Sequence, residues 1–90
     1  MSGYPPVTPS PELPEEFKFL CMLHNVGAIK PERALTIIEI SKWTNTESST
    51  IKNHLGRLHE LGYVLSFKKN ESEKYHVSVT GIRKVLTLYS

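Results

Sequence analysis

A single cysteine, Cys21, stands in 90 residues, so the chain has no disulfide framework and reads as a protein of a reducing interior compartment. Aspartate is absent, and the nine acids are all glutamate. No apolar run approaches the roughly 18 residues that a membrane-spanning helix needs. The opening MSGYPPVTPS lacks the basic and apolar regions of a secretory signal. The expectation is a cytoplasmic chain with no membrane contact. Glycine is sparse, at five residues, and none builds a loop that cradles phosphate. CxxC and HExxH are missing, and His54 and His59 are off the i, i+4 spacing that puts two ligands on one helix face. No Ser/His/acid grouping stands out. The sequence therefore supports neither an enzyme nor a metal or cofactor site. His24 and His54 read as partly buried packing residues and Cys21 as a small core side chain, with a thiol sensor as the alternative reading of Cys21.

Ninety residues suffice for one domain with one core. The net charge of +2 is modest, but it is unevenly spread. Residues 1–45 carry four bases and five acids, whereas from Thr46 onward seven bases face four acids. The positive excess therefore lies in the C-terminal half, where a partner of negative charge would be met.

Five of the six prolines fall in the first 14 residues, a stretch without apolar periodicity, so residues 1–13 are predicted to form an extended or disordered arm and residues 14–90 the domain. Pro14 suits the first position of a helix, with Glu15 and Glu16 near its positive end and Gly27 as its left-handed cap. Phe17, Leu20, Cys21 and His24 lie on one face of this helix, and Phe19, Met22, Leu23 and Val26 on another. Two apolar faces imply two partners, within the domain or in a second subunit. Thr36 and Glu39 have capping-box spacing for a second helix running to about Trp43, with Ile37, Ile40 and Ser41 inward and Trp43 as a core anchor, or as a mark of a partner surface if it is exposed. Thr44 and Asn45 supply the turn. Thr46 caps a third helix, in which Ile51, Leu55, Leu58 and Leu61 recur at helical spacing before Gly62.

Beyond Gly62 the period becomes two. Tyr63, Leu65 and Phe67 share one face, and so do Tyr75, Val77 and Val79, which predicts a hairpin whose polar tip spans Lys68–Lys74. Thr80 caps a last helix with an apolar stripe of Ile82, Val85, Leu86 and Tyr89.

This order, together with the runs Leu35–Ser41 and Ser49–Val64 and the closing Val79-Thr80-Gly81-Ile82-Arg83, resembles the winged helix-turn-helix regulators of bacteria and archaea, such as the MarR and ArsR types. The resemblance covers Glu15 to Leu88. It implies an α+β, mainly α fold with a three-helix core, a two-stranded wing and a C-terminal helix. It also implies binding of double-stranded DNA in the regulation of transcription, with helix 46–61 as the recognition helix and 63–79 as the wing.

The residues themselves fit that chemistry. Opposite Ile51, Leu55 and Leu58 the third helix presents Ser49, Lys52, Asn53 and Gly56, with Ser48 and Arg57 at the margins. Asn53 can pair with adenine and Lys52 can reach guanine acceptors, while the hydroxyls of Thr46, Ser48, Ser49 and Thr50 can bond phosphate at the helix start. Gly56 allows close approach of another backbone. Lys68, Lys69 and Lys74 of the wing tip suit phosphates, tempered by Glu71 and Glu73. One recognition helix reads few base pairs, so a homodimer through the first and last helices is expected. The alternative is a winged-helix protein-interaction module within a transcription or replication assembly. A ligand-gated sensor is disfavoured because so short a chain leaves little volume for an effector pocket.

Overall fold

The computed structural model describes residues 13–88. All of the expected arm except Leu13, and Tyr89 of the expected last stripe, lie outside the described residues. In chain order the elements are helix α1 (Glu15–Asn25), a 3-10 turn (Pro31–Arg33), α2 (Ile37–Thr44), α3 (Ser48–Glu60), strands β1 (Val64–Lys69) and β2 (Ser72–Val77), and α4 (Val79–Leu88). The mainly helical fold with one antiparallel hairpin is the one expected.

Pro14 lies one residue earlier than expected. It is the extended N-cap of α1, and its carbonyl accepts from the N–H groups of Phe17 and Lys18 at 3.0 and 3.1 Å. Gly27 ends the helix with φ +89°, a conformation that costs glycine little. Both apolar faces of α1 find partners inside the chain. Phe19, Leu20, Cys21 and Leu23 are buried, Phe17, Met22 and Val26 pack at the edge of the core, and the helix lies against α3, α4 and β2.

The capping box of α2 forms as its spacing predicts. Glu39 N–H donates to Thr36 Oγ1 at 3.1 Å, and Thr36 N–H donates to Glu39 Oε1 at 2.9 Å. Asn45 closes the helix in the left-handed region at φ +53°. Trp43, however, is 67% exposed and is no core anchor. The inward stripe of α2 is Ile37, Ile40, Ser41 and Thr44, and Trp43 projects roughly 100° away from it, beside Glu39.

Two hydroxyl caps also differ from expectation. The N-cap of α3 is Glu47. Thr46 Oγ1 instead donates to the Thr44 carbonyl at 3.2 Å, and the Thr46 carbonyl accepts from Ser41 Oγ at 2.8 Å, so Thr46 closes the turn. At α4 the capping oxygen is Ser78 Oγ, which accepts from Gly81 N–H at 2.9 Å and donates to the Gly62 carbonyl at 2.6 Å. Thr80 is exposed.

In the hairpin Val64 pairs with Val77 and Lys69 with Ser72, leaving Asn70 and Glu71 as a two-residue turn with φ +52° and +67°. Positive φ at both positions is the signature of a type I′ turn, so the tip is shorter than the expected Lys68–Lys74. The inward face begins at Val64, which is fully buried, and Leu65 is 47% exposed. Tyr63 precedes the strand, so the expected stripe of Tyr63, Leu65 and Phe67 is one residue out of step. On the other strand Tyr75 and Val77 do share the inward face, but Val79 already belongs to α4. β2 is gripped along its other edge as well. Leu35 and Tyr75 exchange both backbone hydrogen bonds, at 2.8 and 2.9 Å, and Val77 N–H donates to the Ala28 carbonyl at 2.7 Å.

Candidate nucleic-acid interface

The surface is built on α3. Ile51, Leu55 and Leu58 are buried against α1, α2 and β1, which fixes the rotation of the helix and turns Ser49, Lys52, Asn53 and Gly56 outward. Ser48, Ser49 and Thr50 form its exposed first turn. Glu47 supplies no side-chain cap bond, so N–H groups of that turn keep free hydrogen-bonding capacity.

Arg57 lies on the flank next to α1, where its Nε stands 3.5 Å from Glu16 Oε2. Its charge is thus shared with a carboxylate and drawn away from the outer pole of α3. His54, on the same flank, packs its ring 5.3 Å from that of Phe19, and His24 is likewise half-buried.

The wing lysines divide. Alternate residues of a strand point to opposite faces, so Lys68 shares the inward face with Ser66, Tyr75 and Glu73, and Lys69 and Lys74 share the other. Lys69 and Lys74 border a shallow depression with Thr36, Ile38 and Glu39 at the start of α2. The three lysines that sequence grouped together therefore face two different surroundings.

Sequence reasoning missed a groove of about 230 Å³ between α3 and the inward face of the hairpin, lined by Lys52, Leu55, Gly56, His59, Ser66 and Tyr75. Lys52, Gly56 and His59 stand at i, i+4 and i+7, a spacing legible on the helix. The addition of Ser66 and Tyr75 depends on strand register, which the sequence did not supply. Burial, with the nearby Glu73 charge second, raises the Tyr75 phenol above its usual 10.0, so at neutral pH it remains a hydrogen-bond donor.

Among the described residues no three His, Cys, Asp or Glu side chains gather where they could hold a metal ion, and no helix is long and apolar enough to cross a membrane. Cys21 is buried. Comparison with curated proteins gives no significant match. A family model described as the winged helix DNA-binding domain matches residues 20–81. That match runs from within α1 into the first turn of α4, taking in α2, α3 and the whole hairpin, and the chain accordingly belongs to the winged helix DNA-binding domain family.

Proposed function

We propose that this protein binds double-stranded DNA in a sequence-specific manner and regulates transcription, as a binding protein and not an enzyme. The observation that carries the reading is the exposed polar face of α3 within a domain of this family. In this reading α3 enters the major groove, Asn53 and Lys52 lie nearest the bases, and the hydroxyls of Ser48, Ser49 and Thr50 meet phosphate at the helix start. Thr46 and Arg57 flank that surface. Lys68, Lys69 and Lys74 of the wing add phosphate contacts, Lys68 from the face nearer α3. The protein acts as a homodimer, because two half-sites give a specificity that one helix does not, and its site of action is the cytoplasm.

Anisotropy titration against random duplex at low salt, followed by selection of a preferred sequence, tests the proposal. Asn53→Ala and Lys52→Ala are each expected to weaken binding to the selected duplex by roughly 1 to 3 kcal/mol with folding intact. Unchanged affinity in both variants would remove α3 from the interface. A second reading, a protein-interaction module, is favoured by Ile38 and Trp43 of α2, which are 68% and 67% exposed. Negligible duplex affinity together with a pull-down lost on Trp43→Ala would select it.

A further inference from the structure

Trp43 is the only tryptophan of the chain, and it lies 67% exposed beside a shallow depression of about 480 Å³ that it lines with Glu39 and Lys42. An indole left so open forgoes the burial that makes aromatic side chains valuable to a fold. The start of α1 is close by. Glu15 and Lys18 line a second depression together with Thr44 and Thr46, so the chain that precedes α1 enters the domain beside the end of α2.

Twelve residues precede Leu13, and they hold Pro5, Pro6, Pro9 and Pro11, four of the chain's six prolines. Such a composition favours polyproline II, at three residues per turn and about 3.1 Å per residue. Twelve residues then reach about 37 Å, whereas the eight residues of α2 are only about 12 Å long. Reach is ample. At a period of three, Pro6 and Pro9 fall on one edge and Tyr4 and Val7 on the next, which makes an apolar ridge, while Thr8 falls on the third edge. Ridges of this kind seat on exposed aromatic rings because a stiff segment has little chain entropy left to lose.

Independently of any duplex binding, we propose that residues 4–9 fold back within the same chain and seat on Trp43, covering the exposed face of α2. Pro6 and Pro9 lie on the indole. Trp43 Nε1–H and Lys42 Nζ donate to carbonyls of the segment, which polyproline II leaves unpaired. The tether holds the segment at an effective concentration on the order of millimolar, so a contact too weak to join two separate molecules is populated within one. The segment thereby governs access, since a partner that needs Trp43 must displace it.

With a single indole in the chain, tryptophan fluorescence of the full-length protein reads this surface alone. Replacing Pro6 and Pro9 together, Pro6→Gly with Pro9→Gly, is expected to raise the slope of acrylamide quenching about twofold, because one of the two indole faces is uncovered. Emission should move to the red and the helical signal stay unchanged. Thr8→Ala, on the third edge, is expected to match the wild type, and dilution of the wild type is expected to leave its quenching unaltered. Equal quenching in the wild type and the double variant would overturn the proposal. So would an equal effect of Thr8→Ala, which would remove the ridge, or a rise in wild-type quenching on dilution, which would assign Trp43 to the segment of a second copy.

Discussion

A side chain at Gly81 would press on the Tyr63 carbonyl and lie 2.7 Å from the Val77 side chain, where two elements meet and neither can retreat without opening the hairpin. Gly81→Ala is therefore expected to destabilise the fold by roughly 1 to 3 kcal/mol. Gly56→Ala, with open space around it, is expected to stabilise by about 0.5 to 1 kcal/mol. Urea unfolding of both variants decides the matter, since shifts of the same sign would contradict the different surroundings of the two glycines. Glu71 holds φ +67° in the hairpin turn, a conformation better suited to glycine. Glu71→Gly is expected to raise the midpoint slightly, with a gain of at most about 1 kcal/mol. Residues governed by local backbone rules were legible in the sequence, as the Thr36 and Glu39 box and the left-handed Gly27 and Gly62 attest. Trp43 was not. Large apolar side chains are placed by the rotation of their helix, and Ile40 had already fixed the rotation of α2.

The start of α4 offers two hydroxyls, Ser78 and Thr80, and only tertiary structure chooses between them. Ser78 Oγ can reach both Gly81 N–H and the Gly62 carbonyl, 16 residues away in sequence, so one side chain caps a helix and ties it to the end of α3. Ser78→Ala is expected to cost about 1 to 2 kcal/mol, and Thr80→Ala to change stability by less than about 0.5 kcal/mol. Equal losses in thermal melts would return the cap to Thr80. The hairpin teaches the same lesson. Its existence followed from the change to a period of two, but whether Val64 or Leu65 points inward depends on where the strand starts after Gly62. The candidate interface was partly readable for that reason. The outward face of α3 followed from its buried stripe, whereas the Ser66 and Tyr75 wall and the parting of Lys68 from Lys69 and Lys74 needed the register.

At the scale of the whole molecule the proposed homodimer is left with one helix to form through. The apolar faces of α1 are taken up inside the chain, whereas α4 exposes Val79 and Leu86, 66% and 60% accessible and seven positions apart on one face. Leu86→Glu is expected to convert a micromolar dimer into the 10.2 kDa monomer in sedimentation equilibrium while the helical signal is retained. A wild type that is already monomeric would remove the two-fold model. The hold on β2 has a consequence for how the chain comes to be folded at all. Ala28 and Leu35 in the first half have Val77 and Tyr75 of the second half as backbone partners, and Val77 also completes the core above α1. A chain synthesised only as far as Gly62 thus owns three helices and the apolar faces that need covering, but not the strand that covers them. Its early segments are expected to stay exposed until β2 has been made, and order then to arrive in one step. A fragment of residues 13–62 should accordingly show helical signal without a cooperative melt, and a sharp transition in that fragment would mean that the helices assemble before the strand arrives.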